Sequence, residues 1–462
     1  MRQESGRRVT EVNPILSLTW ISPSIDNMRR TLYVPTVARV EGLGGILRRL
    51  AITVLAVMCA TPGASPQSQP QAAAPASAPE GRALTLQQAL ELGARQNLDL
   101  MAARQRRAFA LAGIRAARQI PNPSVDFEAS RDAPHEVLFF NQPIELGGKR
   151  AHRIDVARQE QGLTDVEIAA TERQVRRAVR AAYFAVAGMR AETARRARVL
   201  ELARRLYDIA QQRFQAGDVA QLEVNQVQLE VARAEVDLRV ARQQATVSQE
   251  HLSALLNEPP DTAWNPTTRL EDASPAPPVP DLVGHAFESN GELAHVNQDL
   301  RVEQARAGLL RAGRVPDLGV IFGGVFNAAP SFQAGHHEGF TMNLPIFSRN
   351  QGELQQSSAQ QRFLELEASA LRRTIAGEVQ AAYYEWDTRR TEVELYRSTL
   401  RPAAERVEQQ AEESYRAGKV NLLTVLEAQR SVQEIEKSYI ESLGALQNAF
   451  AELEEITGTR LD

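Results

Sequence analysis

The 462-residue chain carries 53 Lys and Arg against 57 Asp and Glu, a net charge of −4 that gives nucleic acid no basic surface to bind. Aromatic residues make up only 5%, few for a chain with large globular cores, while Ala, Gln, Glu, Arg and Leu dominate in the manner of long helices. The single cysteine, Cys59, excludes an intramolecular disulfide and any cysteine-based metal cluster.

At the N-terminus, Arg48-Arg49 precede an apolar run, Leu50 to Met58, and then small residues. This is the pattern of a secretory signal peptide, and about ten apolar residues are too few to cross a bilayer as a helix. Residues 1–64 therefore read as an N-terminal extension plus signal peptide, with Met28 as an alternative start. Residues 65–83, built of Pro, Ala, Gln and Ser, read as a disordered tether. Cys59 is a candidate lipid acceptor. Ala56-Val57-Met58 departs from the small residue wanted before such a cysteine, and the competing reading is that Cys59 leaves with the signal.

Residues 84–256 form a first structural unit. A helix is expected over 84–118, started by a capping box of Thr85 with Gln88 and ended by Pro121 and Pro123. The period then changes from 3.6 to 2. Val125, Phe127 and Ala129 alternate with Ser124, Asp126, Glu128 and Ser130; Leu138, Phe140, Ile144 and Leu146 alternate with Phe139, Asn141 and Glu145. Two strands with one apolar and one polar face follow, joined as a hairpin around residues 131–134. Gly147-Gly148 closes them, and a helix over about 149–216 runs roughly 100 Å. Gly217 suits a left-handed turn. A helix over 219–256 follows, with a seam of Val224, Val227, Val231, Ala234, Leu238, Ala241, Ala245, Leu252 and Leu255 in alternating steps of three and four, a coiled-coil pattern broken at Ser248.

Residues 257–280 hold seven prolines and read as a linker. Residues 281–458 then replay the first unit: a helix over 281–312 ended by Pro316; a strand with Leu318, Val320, Phe322 and Phe326 on one face; a strand with Phe340, Met342, Leu344 and Ile346 alternating with Thr341 and Asn343; and a long helix over about 350–417. Pro402 within that helix predicts a kink. Gly418 supplies the second turn, a second seam runs from Val425 through Val432 and Tyr439 to Leu453, and Thr457-Gly458 ends the helix.

Four amphipathic strands cannot close a membrane barrel, which needs about eight. An open edge in hydrocarbon would leave backbone groups unpaired, so several copies must share one barrel. The duplicated helix–strand–strand–long helix–tip–helix plan and the tip Arg416-Ala-Gly-Lys-Val420 with Val425-Leu-Glu-Ala-Gln429 resemble the TolC family of outer-membrane efflux channels. Gln142-Pro-Ile-Glu-Leu-Gly-Gly-Lys-Arg150 resembles its heavy-metal, cobalt–zinc–cadmium branch. The resemblance implies a mainly helical chain of long coiled-coil hairpins in two tandem repeats, with four transmembrane strands completing a shared barrel in a homotrimer. It implies residence in the outer membrane of a Gram-negative bacterium with helices in the periplasm. It also implies docking on a periplasmic adaptor and an inner-membrane pump of the resistance–nodulation–division class, with no cofactor.

The same resemblance places the tips at the periplasmic mouth. Aperture positions fall on Thr424 and Glu427, with Glu223 and Gln226 as their first-repeat equivalents; Asp218 and Lys419 share one slot of the two tips and are candidates for an ion pair across the mouth. The bland alternative for these residues is a solvated helix face. Gly217, Val219, Leu222, Gly418, Val420 and Leu423 are the candidate adaptor-docking residues, or else pack only within the trimer. Asp126 and Glu128 are candidates for the barrel lumen, while Phe127, Phe140, Phe322, Phe326 and Phe340 are expected to face lipid. His336-His337 read as an exposed outer loop rather than a metal site, and Gly147-Gly148-Lys149-Arg150 as a turn rather than a phosphate loop. Glu454-Glu455 read as helix surface. No nucleophile–base–orienter set is visible, so the chain is not read as an enzyme. The remaining readings are a multidrug duct, a duct for a type I protein exporter, and a non-transport coiled-coil stalk.

Overall fold

The computed structural model describes residues 81–132, 134–272, 275–326 and 333–461, all within the unit Ala73–Asp462. The signal peptide, most of the tether and Cys59 lie outside the described residues. Strand β1 (Arg82–Leu84) leads into α1 (Leu86–Gln96) and α2 (Leu98–Ala117). Strands β2 (Ser124–Ala129) and β3 (Glu136–Ile144) follow, then the 67-residue helix α3 (Lys149–Gln215), α4 (Gln221–Leu255) and a short β4 (Trp264–Pro266). The second half brings α5 (Val279–Ser289), α6 (Gly291–Ala312), β5 (Leu318–Phe326), β6 (Gly335–Met342), α7 (Gln351–Leu395), a π-helical turn (Tyr396–Leu400), α8 (Arg401–Arg416) and α9 (Leu422–Thr457). The mainly helical, twice-repeated plan is the one the periodicities imply.

Each repeat departs from expectation at one asparagine. The single helices expected over 84–118 and 281–312 are each two, broken at Asn97 and Asn290, whose backbones turn extended. Asn97 Oδ1 accepts the Leu100 N–H at 3.1 Å, and its Nδ2 donates to the Leu255 carbonyl at the end of α4, 3.0 Å away. Asn290 Oδ1 accepts from Glu292 and Leu293, and its Nδ2 donates to the Ile456 carbonyl at the end of α9, 2.9 Å away. One side chain thus satisfies a helix start and a helix end together. Replacing either by alanine should destabilise the chain by about 1–2 kcal/mol. Urea unfolding with an unmoved midpoint would refute that.

Pro402 gives no kinked α-helix. The chain widens for one turn, with the Arg401 N–H bonding Tyr396 five residues back. A proline has no N–H to offer the fourth carbonyl before it, and a π turn absorbs the misfit.

The sheet order is β2-β3-β5-β6, antiparallel throughout. Val125 pairs with Phe140 and Phe140 with Phe322, so one face carries Val125, Phe127, Leu138, Phe140, Phe322, Phe326, Phe340 and Met342, all exposed. Asp126 and Glu128 share the other face with Phe139 and Asn141. Gly323 between the strands leaves room for the Phe139 ring, which meets His337 edge-on at 5.3 Å. The outer edges of β2 and β6 have no strand partner among the described residues. The fourth strand is shifted from expectation: it begins at Gly335 and ends at Met342, so Leu344 and Ile346 lie outside it, where Pro345 lacks the donor a strand needs. Among the described residues no helix is long and apolar enough to cross a membrane.

The proline-rich linker is built into the structure. Within it, β4 pairs in parallel with β1. Trp264 is fully buried and donates its indole N–H to Ser253 Oγ at 2.8 Å. The buried Tyr183 of α3 donates to the Leu84 carbonyl at 2.9 Å and accepts the Thr268 N–H at 3.0 Å. These ties hold the junction of the two repeats against α3, in a core with Val179, Leu252, Trp386, Leu446 and Phe450.

Candidate functional site

The far end of each helical hairpin is a tight turn of one design. Gly217 and Gly418 sit at positive φ, 82° and 69°. Asp218 N–H reaches the Arg213 carbonyl and Gly217 N–H that of Phe214; Lys419 and Gly418 bond Ser414 and Tyr415 in the same way. This double bond pattern closes a helix at glycine, which alone accepts the left-handed backbone cheaply. Asn421 caps α9 by accepting the Thr424 N–H and hydroxyl, at 3.0 and 2.9 Å. At α4 Ala220 stands in that place and offers no cap.

The two tips share one core: Leu206, Ile209, Ala210, Val224 and Val227 from the first, Tyr415, Leu422 and Val425 from the second. Tyr415 is fully buried. Its hydroxyl donates to Glu223 Oε1 at 2.6 Å. Arg213 lies over its ring, 5.0 Å from the centroid, and donates to its carbonyl at 3.4 Å. Burial, then the hydrogen bond to Glu223 and the charge of that carboxylate, push the Tyr415 hydroxyl above the usual tyrosine range, so it stays a donor at any physiological pH. Farther up, Arg430–Glu230 (3.9 Å), Arg205–Glu412 (3.8 Å) and Arg198–Glu436 (3.3 Å) tie α8 and α9 to α3 and α4. Beside them burial, then Glu436 and Glu412, push the Glu408 carboxyl up.

Of the residues singled out from sequence, Glu223 is half-buried and engaged by Tyr415; Thr424 is engaged by Asn421; Asp218, Lys419 and Glu427 are exposed. Among the described residues no ion pair joins Asp218 to Lys419. Leu222 and Leu423 are 66% and 59% exposed, while Val219 and Val420 are half-buried. Arg213 and the role of Tyr415 went unseen in the sequence, although the contrast of Tyr415 with Phe214 in otherwise matching tips was a readable signal.

Elsewhere, Gly147 and Gly148 take positive φ where the sheet hands over to α3, and Lys149 Nζ bonds Asp317 at 2.7 Å. Glu454 is a correction: it is buried, not surface, and receives Arg176 at 3.1 Å as well as Arg180; Glu455 pairs with Arg177. His336 and His337 lie in β6 rather than in a loop, and point to opposite faces. Among the described residues no group of three or more His, Cys, Asp or Glu could hold a metal ion.

Comparison with known proteins agrees with this architecture. A family model described as "Outer membrane efflux protein" matches residues 86–258 and 282–459. The chain is 29% identical over 381 residues to the cobalt-zinc-cadmium resistance protein CzcC of Cupriavidus metallidurans, covering 81% of this chain and 90% of that one. It is 30% identical over 292 residues to the nickel-cobalt-cadmium resistance protein NccC of Alcaligenes xylosoxydans xylosoxydans, covering 57% and 60%. Its fold matches the CmeC outer membrane channel of Campylobacter jejuni with a TM-score of 0.67 at 15% identity, covering 81% of this chain and 85% of that one.

Proposed function

The chain belongs to the outer membrane efflux protein family, and we propose that it is the outer-membrane duct of a tripartite pump exporting divalent heavy-metal cations. The observation that carries the duct is the four-stranded sheet: one face exposes a band of aromatic and aliphatic side chains, and both edges lack a partner. Such a sheet is stable in a bilayer only when copies close it, and three copies give twelve strands. The metal cargo rests on the similarity to CzcC and NccC.

In this reading the water-filled path runs past Asp126 and Glu128 in the barrel and down the helical tube to the tips. Leu222 and Leu423, exposed at those tips, are surfaces for an apolar contact with a periplasmic adaptor. Asp218, Lys419, Thr424 and Glu427 ring the mouth, and Glu223 serves as an acceptor that holds Tyr415. The driving force comes from an inner-membrane pump of the resistance–nodulation–division class. Deleting the gene should lower the tolerated concentration of cobalt, zinc or cadmium several-fold and leave tolerance of hydrophobic drugs unchanged. Lost drug tolerance with intact metal tolerance would overturn the cargo.

A further inference from the structure

The two tips are copies of one motif, yet every member of the clasp differs between them. With Gly217 laid on Gly418, Phe214 stands where Tyr415 does, Ser414 matches Arg213, Thr424 matches Glu223 and Val407 matches Leu206. Inside one chain the contact is made once. Tyr415 of the second hairpin is fully buried in a seat on the first, against Leu206 and under Arg213. The mirror contact is not made: Phe214 is 37% exposed, and Val407 is 46% exposed where its counterpart Leu206 is 1% exposed. A plug and a seat of matching design are thus left open on opposite hairpins of the same chain.

Resting on the duct reading above, we propose that Phe214 of one copy enters the Val407 seat of a second copy, and that this between-chain seam is where the mouth parts. The internal duplication supplies the occupant, because the chain already shows how a hairpin of this design receives its neighbour's aromatic ring. Charge agrees. Asp218 and Lys419 are exposed and not joined within the chain, and the seam brings a first tip beside a second tip, acid against base. The two junctions differ in strength by chemistry. The within-chain clasp has a phenol donating to a carboxylate and a guanidinium over the ring, both charge-assisted. The seam has a phenylalanine facing a valine, a serine and a threonine, with one exposed ion pair that salt screens. Strain applied at the mouth therefore separates chain from chain, and each pair of tips moves as one body.

The test uses the full-length protein with Cys59→Ser as background and a short, reducible bis-methanethiosulfonate cross-linker. In Phe214→Cys/Val407→Cys the linker should join chains into a ladder on a non-reducing gel. It should also cut single-channel conductance in planar bilayers several-fold, with recovery on reduction. In Arg198→Cys/Glu436→Cys the link ties the two hairpins of one chain, and conductance should stay unchanged. The proposal fails if the first pair joins no chains, or if the within-chain link closes the duct and the between-chain link does not. A protein that conducts nothing before cross-linking refutes the duct reading itself, and the gel still reports whether Phe214 meets Val407 of a neighbour.

Discussion

Tyr415→Ala should release the second tip from the first. The ring is fully buried in the core shared by the two tips, and removing a buried aromatic ring costs about 3–5 kcal/mol. Glu223 loses its donor and Arg213 its stacking surface in the same change. The effect should be local. Along α8 only Ala404 and Tyr415 are buried, so little else fastens that helix, whereas the core around Trp264 and Tyr183 is separate. Hydrogen exchange is the suitable measurement: amides of α8 and the first turns of α9 should lose protection, and those near Trp264 should keep it. Tyr415→Phe keeps the ring and removes only the bond to the carboxylate, worth about 1.5–3 kcal/mol. Slow exchange of α8 in the alanine variant would show that the ion pairs to α3 fasten the hairpin instead.

A comparable loss is expected from Glu192→Gln, within α3. Arg195 is 1% exposed, and both of its bonds to Glu192 are 2.6 Å long. Glu192 also accepts from Arg196 at 2.7 Å. Removing the carboxylate charge strands a buried guanidinium, a change that costs about 3–5 kcal/mol. Burial pushes the Glu192 carboxyl up, but the hydrogen bonds and charges of Arg195 and Arg196 outweigh it and hold it below the usual glutamate range. The folded value lies below the unfolded one. The stabilisation is therefore complete above the ordinary glutamate pKa and is lost as pH falls through the lower, folded value. Urea midpoints of the wild type should drop on going from neutral pH to about pH 3, and the variant should show a shallower drop. Equal acid sensitivity in both would assign it to other carboxylates.

The parts legible in the sequence are those where a local pattern and the tertiary structure ask for the same thing. The seams of α4 and α9, the left-handed glycines 217 and 418 and the two-faced strands are all written as short-range spacing. The parts that were not legible depend on partners far along the chain. Asn97 and Asn290 break helices because each finds a helix end, at Leu255 and Ile456, to bond; nothing nearby announces it. Leu84 and Trp264 pair across the whole first repeat, in a segment whose prolines argue for a linker. The π turn at Tyr396–Leu400 is a compromise between Pro402 and a helix that continues below it, and periodicity shows only the continuation. At the mouth, the acidic residues were legible as charges, but that Glu223 serves Tyr415 follows only from the packing of two hairpins.

The order of the strands has a kinetic consequence. The central pairing of the sheet, β3 with β5, joins the two repeats, and Glu136 must wait for Phe326 to be made and to arrive. Hairpins and coiled coils close over short loops and form early, whereas a pairing of such high sequence separation forms late. A nascent or truncated chain that ends before β5 thus has its helical repeat but no finished lipid face. Membrane insertion is placed after completion of the polypeptide, and the apolar band is withheld from the aqueous periplasm for most of the folding reaction.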